Sequence, residues 1–183
     1  MKIITFPLQL KSKFNNALVL LLNLLFFTAF GQSSSTPAPS AYPRTAAYQG
    51  VLHPIVTLDK DAIQPNFKDY YVVGFPIGIN LWKTQKLGFS VEMVPLIRAQ
   101  GATSRVANVI FHPGVLVNLG HNFTFAGRMA FETSGRYGIT PVISKIVRKG
   151  PTNSYFVAVP VPVRFGNNHP ASLTAGFQFG IIF

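Results

Sequence analysis

The sequence predicts an all-β protein, eight antiparallel strands closed into an up-and-down transmembrane barrel and preceded by a signal peptide. Three observations carry this. From about residue 47 the apolar residues recur with a period of two, most cleanly over 123–133, where Phe123, Phe125, Met129 and Phe131 alternate with Thr124, Ala126, Arg128 and Glu132. That period belongs to a ribbon with one apolar face. Beyond the leader no apolar run approaches the roughly 18 residues of a spanning helix, although 48% of the chain is hydrophobic and only 11% is charged. The final stretch, 171–183, places Leu173, Ala175, Phe177, Phe179, Ile181 and Phe183 on one face and Thr174, Gly176, Gln178 and Gly180 on the other, as a strand between lipid and a polar lumen requires.

Residues 1–31 read as the signal peptide. Lys2, Lys11 and Lys13 supply a positive start, residues 17–29 an apolar core, and Ala29-Phe30-Gly31 small residues where a signal peptidase cuts. The core is interrupted by Asn23 and falls short of the roughly 20 residues of a spanning helix. Residues 32–46 are rich in Ser, Pro and Ala, a flexible linker unable to build a core. Residues 47–183 then form one domain, in keeping with a chain of 183 residues. There is no cysteine, which excludes disulfides, thiolate chemistry and Cys-based zinc sites. The net charge is +11, but the basic residues are scattered and no nucleic-acid motif accompanies them. An anionic membrane surface is the expected partner, and nucleic acid is not.

The strands are expected at 47–58, 69–82, 87–99, 106–118, 123–133, 138–147, 155–165 and 171–183. In the second, Tyr71, Val73, Phe75, Ile77, Ile79 and Leu81 share a face opposite Gly74, Gly78 and Asn80; in the third, Phe89, Val91, Met93 and Ile97 oppose Ser90, Glu92 and Arg98. Eight strands of about 9–11 residues or more can each span a membrane when tilted and close with an interior just wide enough for their own side chains. Turns at 83–86, 119–122 and 148–154 would lie on the side of both termini, and loops at 59–68, 100–105, 134–137 and 166–170 on the other. Tyr70, Tyr71, Tyr137 and Phe165 then fall near one interface, and Trp82, Tyr155 and Phe183 near the other, as two aromatic girdles would.

Over about residues 47–183 this pattern, with its terminal GFQFGIIF, resembles the small outer-membrane β-barrels of Gram-negative bacteria, the OmpX and OmpA membrane-domain type. The resemblance implies residence in the cell outer membrane, contact with its lipid and lipopolysaccharide, and recognition of Phe183 by the barrel-assembly machinery. The chain departs from that class in its short outer loops and its prolines. Pro76, Pro95, Pro113, Pro141, Pro160 and Pro162 fall within expected strands, and each lacks an N–H that a closed ladder needs. Lys145 shares a parity with the lipid-facing Ile139 and Ile143 and is expected to snorkel to the interface.

The inward faces gather Ser90, Glu92, Asn108, His112, Arg128, Glu132 and Arg164. Buried charges must pair, so these are expected to form a polar network, with both glutamates held by Arg128 and its neighbours in a side-chain-filled lumen. A hydrolase would need a nucleophile, a base and an orienting carboxylate within hydrogen-bond reach. Lipid A-trimming barrels carry His-x-Ser, but His112 is followed by Pro113 and Gly114, and His121 by Asn122 and Phe123; no enzyme is expected. His53, His112, His121 and His169 lack ligand spacing, so neither a metal nor a cofactor is expected. Lys60, Lys68, Arg98, Arg105 and Arg136 map to the outer end, a rim that could pair with lipopolysaccharide phosphates.

The expected role is therefore structural or interaction-type: membrane integrity, surface contact or support of a partner. A soluble periplasmic carrier with a lipocalin-like barrel uses the same strands with the apolar face turned inward around a greasy ligand. The two differ in which face looks out.

Overall fold

The computed structural model describes residues 42–60, 62–166 and 169–183, so the signal-peptide reading of 1–31 and the linker up to 41 lie outside the described residues. Eleven strands form one antiparallel sheet: β1 (Arg44–Asp59), β2 (Ala62–Pro65), β3 (Tyr71–Gly74), β4 (Ile77–Trp82), β5 (Leu87–Gln100), β6 (Thr103–Gly120), β7 (Phe123–Glu132), β8 (Tyr137–Lys149), β9 (Ser154–Pro160), β10 (Val163–Gly166) and β11 (His169–Ile182). β3 and β4 continue one another in the same register on β5. β9 and β10 do so on β8. β1 pairs both β4 and β11, so the sheet returns on itself as a ring of eight ribbons. The first ribbon begins at Arg44 rather than at Ala47, taking the last linker residues into the ladder against Trp82 and Leu81.

The prolines sit where the ladder changes. Phe75-Pro76 separates β3 from β4, and Val161-Pro162 separates β9 from β10. What a proline lacks is only its donor; its carbonyl still accepts. Phe75 N–H donates to Pro95 O at 3.0 Å, Val161 N–H to Pro141 O at 2.9 Å, Gly50 N–H to Pro76 O at 2.9 Å and Thr174 N–H to Pro162 O at 2.8 Å. The β3/β4 break thus faces Pro95 on β5 and the β9/β10 break faces Pro141 on β8, while Pro113 stands within β6 opposite Val91.

Register shifts at Asn118/Gly120, Ile146/Arg148 and Arg164/Gly166 lie near turns; two more fall within long strands, at Pro54/Val56 in β1 and opposite Leu96/Ile97 on β6. Beyond Pro54/Val56, β1 leaves β3 and pairs β2. Asn66 closes the resulting gap: its Nδ2–H donates to Val72 O at 2.8 Å, its Oδ1 accepts from Val72 N–H at 2.7 Å, and its own N–H reaches Ile55 O at 3.0 Å. The buried side chain thus does the hydrogen bonding of a strand residue, as a buried backbone requires.

Apolar side chains cover the outer wall all round the ring. Ile77, Met93, Phe111, Val115, Met129, Ile139, Val159 and Phe179 are exposed. Inside lie two clusters. Tyr48, Leu116, Ala126, Val142, Phe156 and Ala158 fill the half nearest the short turns, with Trp82 and Ile182 against them. Val94, Ile110 and Ala130 with Leu52 and Leu96 occupy one wall of the other half. Trp82 therefore packs into the interior instead of joining an interfacial girdle, because it shares the inward parity of Gly78 and Asn80. Tyr70 likewise turns to the interior cavity and lies against Arg98. Lys145 is on the outer wall with its ammonium 4.8 Å from the Phe123 ring centre.

Gly78 shows how tightly the inner layer is set. A Cβ there would fall within van der Waals radius of the Tyr48 ring and hydroxyl, and Tyr48 cannot yield without losing its own partners. Gly78→Ala is expected to cost about 1–3 kcal/mol, the scale of an overpacked core. The outward Gly127, whose added Cβ would meet only ordinary contacts, should tolerate alanine. Denaturant midpoints of the two variants check this contrast.

Candidate functional site

The interior is organised by charges on β5, β7 and β10 that His112 on β6 links. Glu92 on β5 is buried. Its Oε2 accepts the Tyr48 hydroxyl at 2.8 Å, and its Oε1 lies 2.9 Å from His112 Nδ1 and 3.4 Å from Arg128 Nη1. Arg128 Nη2–H also donates to the Tyr48 oxygen at 3.0 Å and to Ser90 Oγ at 3.4 Å. A second group forms on the loop side. Arg164 Nε–H donates to Glu132 Oε1 at 2.6 Å, and Glu132 Oε2 accepts from Asn108 Nδ2 at 2.5 Å and from Ser134 Oγ at 3.0 Å. Arg164 reaches backbone as well, donating through Nη1 to Ile139 O at 3.0 Å.

His112 joins the two groups. Arg164 Nη2–H donates to its Nε2 at 3.1 Å. A guanidinium can only donate, so Nε2 accepts and the ring proton sits on Nδ1, aimed at Glu92. Two carboxylates and two guanidiniums then balance around a neutral imidazole. Thr140 Oγ1 lies 3.2 Å from the same Nε2, giving a hydroxyl–imidazole–carboxylate line through Thr140, His112 and Glu92. The lone pair that would take the hydroxyl proton is already committed to Arg164, which leaves this line without the free base that nucleophilic catalysis needs.

All seven expected lumen residues, Ser90, Glu92, Asn108, His112, Arg128, Glu132 and Arg164, thus lie on the interior, in one connected network. Glu132 is held by Arg164 and not by Arg128. The pairing depends on the stagger between ribbons, which alternation alone does not encode. Tyr48 and Thr140 are buried members that the pattern did not single out; only their inward parity could have marked them.

The interior is not filled throughout. The charged layer separates a small cavity of about 110 Å³ near the short turns from one of about 300 Å³ towards the loops, with Arg128, Val142 and Gln178 lining both. The expectation of a side-chain-filled lumen holds for the middle only. On the loop side the inward positions carry Thr57, Ala107, Pro160, Pro162 and Thr174, too small to meet across the ring.

Of the expected outer rim, Lys60, Lys68 and Arg105 are exposed at the loop end. Arg98 and Arg136 are not rim residues. Both turn into the larger cavity, Arg98 with its guanidinium 4.1 Å from the Tyr70 ring centre and Arg136 donating to Ser172 Oγ at 2.6 Å and Pro170 O at 3.2 Å. His53 lies apart on the outer wall, 2.9 Å from the Tyr71 hydroxyl. Phe183 is exposed, its N–H donating to Ala47 O at 2.8 Å.

No family model matches this chain, and no curated protein matches its sequence. Among solved structures it is similar to the solution NMR structure of the de novo designed protein TMB2.3, with a TM-score of 0.42 and 8% identity over 78% of this chain and 97% of that one. It is also similar to a structure from the de novo design of transmembrane β-barrels, with a TM-score of 0.41 and 12% identity over 76% of this chain and 98% of that one.

Proposed function

We propose that the chain is an integral outer-membrane β-barrel with a structural or interaction role: membrane integrity, surface contact or support of a partner. The observation that carries this is the outer wall, where Ile77, Met93, Phe111, Val115, Met129 and Val159 continue an apolar surface from ribbon to ribbon. In water such a surface far exceeds the few hundred Å² that a monomer ordinarily exposes. In hydrocarbon it matches the solvent, and the ring closes by pairing β1 with both β4 and β11, so that its ribbons satisfy one another as a lipid-facing sheet requires.

A lipocalin-like carrier requires the opposite sidedness. Here Glu92, Arg128, Glu132 and Arg164 are inside, while Val159 and Phe177 look out. Further support comes from aromatic pairs at the loop end, Tyr137 with Phe165 and Phe67 with Tyr71, and from exposed Tyr155 and Phe183 at the other, positions suited to the two interfaces. The leader at 1–31 would export the chain, the barrel-assembly machinery would insert it, and Lys60, Lys68 and Arg105 would meet lipopolysaccharide phosphates outside. The proposed role is non-enzymatic.

Fractionation of cells, followed by gel electrophoresis with and without boiling, tests the proposal. The expected result is a detergent-requiring protein in the outer-membrane fraction whose unboiled band migrates differently from the boiled one. Recovery in a detergent-free soluble fraction would overturn it.

A further inference from the structure

The cavity on the loop side holds cations that no ion pair among the described residues answers. Among the described residues the ion pairs involve His112, Arg128 and Arg164; Arg98 and Arg136 are in none of them. Nε of each is buried without a hydrogen-bond partner. Both guanidiniums are nevertheless held in place, Arg98 by the Tyr70 ring and Arg136 by Ser172 and Pro170. Arg98 also stands directly opposite Arg105 in the β5–β6 ladder, a like-charge pairing that costs stability. One further carboxylate shares the cavity, Asp59, whose Oδ1 is also buried without a partner and which no ion pair joins to either arginine. The mouth therefore carries an excess of positive charge over fixed, unsatisfied donors. Below it the wall is apolar, with Leu52, Leu96 and Ile110 on one side.

We propose that this cavity binds a small amphipathic anion, its carboxylate or phosphate head between Arg98 and Arg136 and its apolar body against Leu52, Leu96 and Ile110. An anionic head would pair with both guanidiniums through charge-assisted hydrogen bonds and would offset the Arg98–Arg105 repulsion. The apolar body replaces water along a wall that cannot hydrogen-bond to it. A volume of about 300 Å³ is at the lower end of small-molecule sites. The head belongs either to a free solute or to a membrane lipid reaching in from the rim.

The test uses the mature chain refolded in neutral maltoside micelles and followed by backbone amide NMR. A dispersed β spectrum before any addition establishes the closed ring, so failure to bind is distinct from failure of the membrane proposal. The probes are hexanoate and butyl phosphate, with hexanol and inorganic phosphate as the two halves alone. Saturable shifts are expected at Arg98, Arg136 and Leu96, with the amphipathic acids at least about tenfold tighter than either half. Arg98→Gln and Arg136→Gln should each weaken binding about tenfold, and Asp59→Asn, which removes the competing carboxylate, should strengthen it. Doping the micelles with phosphatidic acid separates the sources. If it moves the same amides and displaces hexanoate, the ligand is a lipid; if hexanoate binds and phosphatidic acid does not, it is a free solute. The proposal is overturned if neither kind of probe saturates these amides, if hexanol binds as well as hexanoate, or if both arginine variants bind unchanged.

Discussion

Replacing Glu92 by alanine is expected to destabilise the protein by about 3–5 kcal/mol, the cost of removing one partner from a buried charge pair. The reason is what remains. Arg128, His112 and the Tyr48 hydroxyl all direct donors at the two Glu92 oxygens, and all three residues are buried. Removing the carboxylate leaves a buried guanidinium with no counter-ion and three donors with no acceptor. Glu132→Ala should cost clearly less, because Arg164 keeps the carbonyls of Ile139 and Val163 and the Glu132 side chain lies nearer the open loop end. A double replacement, Glu92→Leu with Arg128→Met, should recover much of the loss, since an apolar pair of similar volume needs no counter-charge. The temperature or denaturant midpoint at which the heat-modifiable band is lost reports all three variants. A Glu92→Ala midpoint corresponding to less than about 1 kcal/mol would mean that the network is solvated and does not hold the ring.

How far the sequence reveals this arrangement depends on what alternation can carry. A period of two assigns each residue a face, and it placed Phe125 and Val159 outward and Arg128 and Glu92 inward without knowledge of any neighbour. It does not carry stagger. Glu132 meets Arg164 across |i−j| = 32 and Tyr48 meets Glu92 across |i−j| = 44, contacts fixed by how the ribbons slide as the ring closes. It does not carry bulges either. At Pro54/Val56 one extra residue reverses the parity, so that Thr57 and Asp59 face the cavity while Leu58 is exposed. In 47–58 only Pro54, at the bulge itself, hints at that reversal. Polar residues near loops are the hardest to place, because they are tolerated on a rim and inside a mouth alike. Arg98 and Arg136 went inward for local reasons, the ring of Tyr70 and the hydroxyl of Ser172. Asn66 was legible only as a turn-former, yet it acts as a surrogate strand residue between β1 and β3.

Met93→Arg is the second large effect, and its size depends on the surroundings of the ring. Met93 lies midway along β5, exposed on the outer wall and directly paired with Ile77 on one side and Phe111 on the other. If the wall faces hydrocarbon, an arginine at this height should cost about 2–4 kcal/mol, declining to about 0–1 kcal/mol near the interfaces. Leu87→Arg, at the short-turn end of the same ribbon, should then be tolerated. If the wall faces water, both replacements change an exposed side chain with no buried partner and should stay within about 0.5 kcal/mol of the parent. Reversible urea unfolding in lipid vesicles measures the pair. The informative quantity is the difference between the two heights, since a general effect of added positive charge would shift Met93→Arg and Leu87→Arg alike, whereas a hydrocarbon layer penalises only the central one.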